Sequence, residues 1–254
     1  MSEDIYNDWK GICKFIVNAN IKNWKQLNNV YYMLEHINRN FGELYLKNLL
    51  LDDVSLELIK EISLFNDSYG DPKKEKYFVR TLNYDTELNI SPSTLRYIRH
   101  AFDICNMIEE SKLDNINIIE IGGGYGGLCL VLNILAKKRN INITNYFIYD
   151  LLEVQNLQKF YLSNFEFIQN VVFKDSNSYG ADLDSKSNSF LVSNYAISEI
   201  PREFRLKYLK NLIPNIKRAY FVWNTDTIED LPINRISIES EIPNTGKDNK
   251  IIRI

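Results

Sequence analysis

The sequence predicts an α/β protein, a doubly wound seven-stranded mostly parallel sheet with a helical N-terminal extension. After Asp114, five short apolar runs alternate with helical stretches, which is typical of parallel strands covered by helices on both faces. Two apolar segments near the C-terminus then supply an antiparallel hairpin at one edge of the sheet. The five runs span residues 116–121, 146–150, 171–174, 190–194 and 219–224.

The first ninety residues have mainly helical periodicity. Apolar residues recur at three- and four-residue steps between Trp24 and Phe41, which predicts one helix face turned towards a core. We therefore predict a helical extension or cap over residues 1–90 and an α/β domain over residues 91–254.

Capping and turn residues predict where these helices begin and end. Asp52 and Asp53 are candidate caps for a following helix, and the turn residues at 65–72 predict a loop. Ser91 followed by Pro92 predicts another helix start, because proline at the first helical position loses no needed hydrogen bond.

Composition limits the class of function. Charged residues make up 25% of the 254 residues and the net charge is only -3, which argues against a general nucleic-acid binder with a basic surface. The three cysteines are far apart and odd in number, so neither a disulfide framework nor a structural zinc site is expected. No apolar run reaches about 18 residues, and acidic residues interrupt the N-terminus where a signal peptide would be apolar. We expect a cytoplasmic protein without a membrane span.

The strongest motif follows the first predicted strand of the sheet, where a buried strand leads through glycines into a helix. Glycines adopt positive φ and leave no Cβ between the backbone and a ligand, and the free N–H groups of the helix start face that ligand. Gly122, Gly124 and Gly127 satisfy the G-x-G-x-x-G pattern of dinucleotide sites. Glu120 with Gly122, Gly124 and Gly126 equally satisfies the acidic-x-G-x-G-x-G pattern of class I methyltransferases.

Acidic residues at two strand ends favour an adenosyl ligand. Glu120 would repel a pyrophosphate, but it suits the cationic methionine portion of S-adenosylmethionine, directly or through a water. Asp150 ends the second strand, where a carboxylate can accept both ribose hydroxyls of NAD or S-adenosylmethionine. The sequence thus favours S-adenosylmethionine as the cofactor. The other predicted cofactor contacts are Gly122, Gly123, Gly124, Tyr125, Leu151, Asp175, Ser176, Asn194 and Tyr195.

Two alternatives stay open from the residues alone. An NAD-dependent oxidoreductase or epimerase could use the same glycine turn, although no Tyr-x-x-x-Lys pair follows the fourth strand. A non-catalytic cofactor-binding module could also retain the fold.

Several segments together resemble a family of sugar O-methyltransferases, in the order in which that family has them. The similarity covers residues 65 to 225 and leaves the first sixty residues without a match. The resemblance implies transfer of a methyl group to a hydroxyl of a sugar, a nucleotide-sugar or a capsule or surface polysaccharide precursor, or to a phosphate or phosphoramidate oxygen of such a precursor. The matching segments are 91–97, 120–127, 150–154, 158–162, 192–200 and 220–224.

A sugar hydroxyl is a poor nucleophile at neutral pH, so the implied reaction needs a general base. Glu199 follows the fourth strand at the edge where open α/β sheets bind ligands, and it belongs to one of the matching segments. His100 is the second candidate, because it lies on the helix that leads to the glycine strand. A carboxylate of ordinary pKa is a weak base for an alcohol, so burial would have to raise the pKa of Glu199.

Tyr69, Arg96 and Tyr97 are the predicted acceptor contacts, since aromatic faces and a guanidinium suit a sugar or a phosphate. Asp226 and Asp230 could bind a divalent ion, but two acids do not make a ligand set, and no metal is predicted. The helical N-terminal part could cover the active site, form a homodimer contact, or both.

Overall fold

The computed structural model describes residues 3–80, 85–183, 188–225, 227–231, 236–246 and 248–254. The predicted fold class is confirmed: helices flank a seven-stranded, mostly parallel sheet, and further helices precede it. None of the helices in these ranges has the length and hydropathy that crossing a bilayer requires. The helices before the sheet are α1 (Glu3–Ala19), α2 (Asn28–Val30), α3 (Arg39–Leu51), α4 (Leu56–Asn66) and α5 (Pro92–Glu110).

The sheet has the strand order β5-β4-β3-β6-β7-β9-β8, which is the Rossmann-like order of class I methyltransferases. Strands β3 to β7 are parallel, and β9 runs antiparallel to both β7 and β8. The elements are β3 (Ile116–Ile121), α6 (Gly127–Lys138), β4 (Ile143–Asp150), α7 (Leu152–Leu162), β5 (Val171–Asp175), β6 (Ser189–Asn194), α8 (Ala196–Glu199), α9 (Arg202–Leu212), β7 (Arg218–Trp223), β8 (Ser237–Ser240) and β9 (Lys250–Arg253).

Side chains alternate between two cores on either face of the sheet, as the period of two in a strand requires. On β3, Ile118 belongs to the core that the N-terminal helices and α5 to α7 complete. Ile119 and Ile121 belong to the opposite core, which α9 completes with Tyr208 and Leu209. The N-terminal helices thus share a core with the sheet, and the division at residue 90 stays a prediction.

The predicted apolar face between Trp24 and Phe41 does not form one helix. Trp24–Gln26 is a 3-10 turn, and Tyr31–Glu35 is a π-helical turn that follows α2. Leu27 has extended φ and ψ between the first two pieces. Trp24 and Val30 of this face are buried, but they lie on short turns of differing pitch rather than on one helix.

Two further expectations about the N-terminal part are wrong. β1 (Glu75–Arg80) and β2 (Asp85–Ile90) form an antiparallel pair inside the segment predicted to be helical. The cap of α4 is Ser55, whose side chain accepts from the Leu58 amide, rather than Asp52 or Asp53. Asp52 pairs with Arg99 instead.

Candidate active site

The carboxyl ends of β3, β4 and β6 open on a cavity of about 990 Å³. Residues following β5 and β7 complete its far wall, and the N-terminal part supplies the near one. This is the edge at which open α/β sheets bind ligands. Of the predicted site residues, those that line the cavity are Arg96, Tyr97, Glu120, Gly122, Gly123, Gly124, Asp150, Leu151, Ser176, Asn194, Tyr195 and Glu199.

The glycine bend after β3 is shaped by close contacts. Gly122 and Gly124 have φ of 73° and 55°, values that favour glycine. A Cβ on Gly122 would lie 2.1 Å from the Cβ of Ala196, and one on Gly124 would lie 3.2 Å from Cδ2 of Leu34. The bend therefore needs glycine at both positions, and Leu34 of the N-terminal part packs directly against it.

Two carboxyl groups stand on either side of this bend, on neighbouring strands. Glu120 is 2% exposed, and its Oε2 accepts a 3.0 Å hydrogen bond from Tyr146. Asp150 accepts from the Leu151 amide at 2.8 Å and from Nε2 of Gln158 at 2.9 Å. Burial raises the pKa of Glu120 to about 8 and that of Asp150 to about 7. A cationic ligand in the cavity would favour the ionised form of both.

The end of β6 presents three polar side chains to the cavity. Oδ1 of Asn194 is buried and has no hydrogen-bond partner among the described atoms. Tyr195 has φ of 68° and donates its hydroxyl to Oε1 of Glu241 at 2.7 Å. Oε1 of Glu199 accepts a 2.6 Å hydrogen bond from Nδ2 of Asn224, the residue after β7. A carboxylate, an amide and a phenol thus line this part of the wall.

The structure places His100 away from the cavity, although the sequence made it a candidate base. Its ring is 1% exposed, with Nδ1 2.9 Å from the Tyr220 hydroxyl and Nε2 3.7 Å from Oε1 of Glu241. Burial lowers the pKa of His100 to about 4. His100 is not among the residues that line the cavity, so its imidazole does not contact an acceptor bound there.

Three predicted contact residues also lie outside the cavity lining. Tyr125 packs edge-on against Trp24 with ring centroids 5.1 Å apart, below the buried ammonium of Lys25. Tyr69 packs against Phe165 with centroids 5.2 Å apart. Asp175 caps a 3-10 turn by accepting from the Asn177 amide at 2.9 Å. In each case local packing or capping uses the side chain.

Asp230, one of the two acids considered for a divalent ion, is bonded to two arginines. Asp230 accepts 2.8 Å and 2.7 Å hydrogen bonds from Arg202 and Arg205, while Asp226 lies outside the described residues. The described part of the chain contains no group of three or more histidine, cysteine or acidic residues that could hold a metal ion.

The sequence left open whether the N-terminal part covers the active site, and it identified none of the residues that do so. Trp9 and Lys10 of α1 line the cavity, as do Leu34 and His36 around the π-helical turn. The Leu34 carbonyl accepts a 2.9 Å hydrogen bond from Nη2 of Arg96. No motif marks these residues, so their role becomes visible only when the chain is folded.

No protein-family model and no curated protein matches the chain. A methyltransferase from Clostridium acetobutylicum described as S-adenosylmethionine-dependent is 14% identical at TM-score 0.41, over 57% of this chain and 58% of its own. A structure from Burkholderia thailandensis bound to S-adenosylhomocysteine is 13% identical at TM-score 0.43, over 51% of this chain and 46% of its own. Magnesium protoporphyrin IX methyltransferase from Synechocystis is 14% identical at TM-score 0.42, over 63% and 82%.

The chain thus spans 58% and 46% of the length of the first two of these proteins. Because the TM-scores are below 0.5 and the identities below 25%, these likenesses do not bear on activity.

Proposed function

We propose that this protein is an S-adenosylmethionine-dependent O-methyltransferase that acts on a hydroxyl of a sugar, a nucleotide-sugar or a capsule or surface polysaccharide precursor. One observation carries the cofactor: Glu120 and Asp150 flank a glycine bend on adjacent strands and line the same cavity. Paired carboxylates suit a ligand that is cationic at one end and carries ribose hydroxyls. Glu120 opposes the pyrophosphate that NAD would place at this bend, whereas Asp150 suits the ribose of either ligand.

The cavity residues fit such a ligand in position and chemistry. Glu120 would hold the methionine ammonium, and Asp150 would accept the ribose hydroxyls, with Leu151 and Ser176 on the adenine side. The backbone of the bend is open to the cavity at Gly123. When bound, the cofactor supplies a methyl group already activated on sulfonium, so the protein mainly has to align the acceptor with it.

Glu199 is the proposed general base. Asn224 holds one oxygen of its carboxylate, and both residues line the cavity. As the donor supplies its methyl group to the acceptor hydroxyl, Glu199 would take up the proton of that hydroxyl. Asn194 is placed to accept from the acceptor or the donor, because its buried Oδ1 is unpartnered among the described atoms.

The acceptor class rests on the resemblance of the glycine, strand-end and β6 segments to sugar O-methyltransferases. The cavity supports it with polar side chains at the end of β6 and with the aromatic faces of Tyr97 and Tyr195. A phosphate or phosphoramidate oxygen of such a precursor fits the same wall.

The test has a binding arm and a turnover arm. Calorimetry with S-adenosylmethionine, S-adenosylhomocysteine and NAD should show binding of the first two and none of NAD. NAD binding alone would support the oxidoreductase alternative. Mass spectrometry of nucleotide-sugars and polysaccharide precursors incubated with donor should then show the gain of one methyl group, whereas binding without transfer to any of them indicates a binding module.

A matched pair of variants checks the location of the site. Asp150→Asn should weaken S-adenosylhomocysteine binding about tenfold or more, because a hydrogen bond to a charged group is worth about 1.5–3 kcal/mol. Asp175→Asn makes the same change at the end of the neighbouring strand, outside the cavity, and should leave affinity within about twofold. Equal losses from both variants would contradict the proposed site.

A further inference from the structure

Arg96 is a buried arginine on the cavity wall. It lies in the first half of α5, is 5% exposed, and its Cζ lies 5.7 Å and 5.6 Å from the ring centroids of Tyr97 and Tyr195. A guanidinium in contact with two aromatic rings is held in one orientation, so its N–H donors point in fixed directions.

Most of those donors are unused by the described protein atoms. A guanidinium has five N–H groups, and the structure shows one hydrogen bond, from Nη2 to the Leu34 carbonyl at 2.9 Å. Among the described residues, no carboxylate oxygen lies within 4.0 Å of an Arg96 nitrogen, the distance that defines an ion pair. Glu241 and Glu35 interact with it only from longer range, and both carboxyl groups accept hydrogen bonds from other side chains, Glu241 from Tyr195 and Glu35 from Ser91.

Two other arginines of the described residues, one buried and one partly buried, are paired. Arg205, 3% exposed, bonds to Asp230 and to two backbone carbonyls, and the partly buried Arg99, on the same helix as Arg96, pairs with Asp52 and Asp103. An unpaired charge taken out of water is costly. An arginine kept in that condition on a cavity wall is therefore expected to meet its counter-charge on a ligand.

Charge is distributed unevenly around the cavity. Glu120 and Asp150 stand at the bend where the cationic donor is proposed to bind, whereas Arg96 and Lys10 face the cavity from the N-terminal side. Arg96 meets Tyr195, which lies beside Asn194 at the end of β6. An anion bound by Arg96 would thus sit next to the proposed transfer point and away from the carboxylates of the donor site.

We infer that Arg96 binds an oxyanion of the methyl acceptor, a phosphate or a carboxylate, so that the substrate is an anionic sugar derivative rather than a neutral sugar. This inference rests on the proposed function. The planar fork of Arg96 matches both oxyanions in a bidentate fashion. Neutral hydroxyls would leave the buried charge uncompensated.

The test reads the site without turnover, through the two histidines of the chain. His36 lines the cavity, and partial burial and then Arg96 lower the pKa of its imidazole below the ordinary value. Inorganic phosphate bound at Arg96 should raise the pKa of His36 by about 1 or more, saturably, in an NMR titration. The pKa of His100 responds mainly to burial and Glu241 and only then to Arg96, so a smaller rise is expected there.

Arg96→Gln and Arg99→Gln are matched variants on one helix. Arg96→Gln alone should raise the pKa of His36, because it removes a neighbouring cation, and it should weaken phosphate binding about tenfold or more. Arg99→Gln removes the same charge outside the cavity and should leave phosphate binding within about twofold. Wild-type protein in which phosphate leaves His36 unmoved, or equal effects of both variants, would overturn the inference.

Glucose, glucose 1-phosphate and glucuronate then identify the oxyanion, each titrated with S-adenosylhomocysteine present. Binding of either anionic sugar at least about tenfold tighter than glucose, lost in Arg96→Gln, supports the inference and names phosphate or carboxylate. Equal binding of all three contradicts it. Failure of S-adenosylhomocysteine to bind would count against the proposed function. The phosphate titration needs no S-adenosylhomocysteine, so it would still test whether Arg96 binds an oxyanion.

Discussion

The hydroxyl of Tyr195 and the hydroxyl of Tyr45 donate to the same oxygen, Oε1 of Glu241, at 2.7 Å and 3.0 Å. Tyr195 lines the cavity and has φ of 68°, a backbone conformation that residues other than glycine rarely adopt. Tyr45 lies in α3 and is fully buried. The C-terminal loop thus holds a strained residue of the cavity wall through one carboxylate.

Tyr195→Phe and Tyr45→Phe should each lower the free energy of unfolding by about 1–3 kcal/mol, because each removes a hydrogen bond to a charged group. Only Tyr195→Phe should raise the KM for the acceptor, since its hydroxyl bond fixes a ring that lines the cavity and contacts Arg96, whereas Tyr45 is not in the cavity lining. Urea unfolding and steady-state kinetics separate the two effects. Equal changes in KM would show that the bond serves stability alone.

Glu199→Gln should lower kcat by about 10²–10⁴-fold, the usual contribution of a general base. The affinity for S-adenosylhomocysteine should stay within about twofold, because Asp150 and Glu120 lie on other strands. Glu166→Gln, at an exposed position outside the cavity, is the control and should lower kcat at least about tenfold less. Turnover by Glu199→Gln close to that of the wild type would remove Glu199 from the mechanism.

The pKa values of Glu120 and Asp150 predict a loss of stability towards alkaline pH. They are raised from 4.5 and 3.8 to about 8 and about 7, so the folded state holds both protons more tightly than the unfolded chain. Their contribution is complete below about pH 4 and is lost as the pH rises to about 8. Each pH unit over which only the folded state holds one proton costs about 1.4 kcal/mol.

Urea unfolding of ligand-free protein between about pH 5 and pH 8.5 tests this slope. Glu120→Gln should flatten it, because an amide does not titrate, whereas Glu166→Gln at an exposed position should not. Calorimetry in buffers of different ionisation enthalpy should also show proton release when the donor binds near pH 7. Proton uptake there would contradict the assignment of a cationic ligand to Glu120.

Gly122→Ala should destabilise the protein more than Gly124→Ala. Both add a Cβ at positive φ, but the first meets the Cβ of Ala196 and the second only the flexible end of Leu34. Strain alone costs about 1–2 kcal/mol, so the excess in Gly122→Ala measures the clash. Ala196→Gly should recover that excess in the double variant, as read by thermal unfolding; no recovery would show that the clash is relieved elsewhere.

The sheet was predictable because its strands are fully buried apolar runs separated by helices. The predicted run at 116–121 coincides with β3, and the other parallel strands differ from prediction by a few residues at their ends. The hairpin of β1 and β2 was missed because only alternate positions such as Tyr77, Leu88 and Ile90 are buried. Charged residues between them hide that short period-two pattern.

Site residues at strand ends were the most predictable. Parallel topology brings the ends of strands to one edge whatever the details of packing, and Glu120, Asp150 and Glu199 all line the cavity there. For His100 and Tyr125 the outcome depended on which side of an element faces the cavity, a matter of tertiary packing. Nothing in the local sequence reveals that.

Leu34 lies against Gly124, and its carbonyl is held by the same guanidinium that we assign to the acceptor. The Arg96 side chain therefore takes part in two equilibria: the packing of the π-helical turn over the donor pocket and the binding of the acceptor. If an arriving oxyanion shifts that shared hydrogen bond, the two substrates must alter each other's affinity by one and the same factor. This coupling of the two affinities would then depend on the backbone turn at residues 31–35 rather than on either pocket alone.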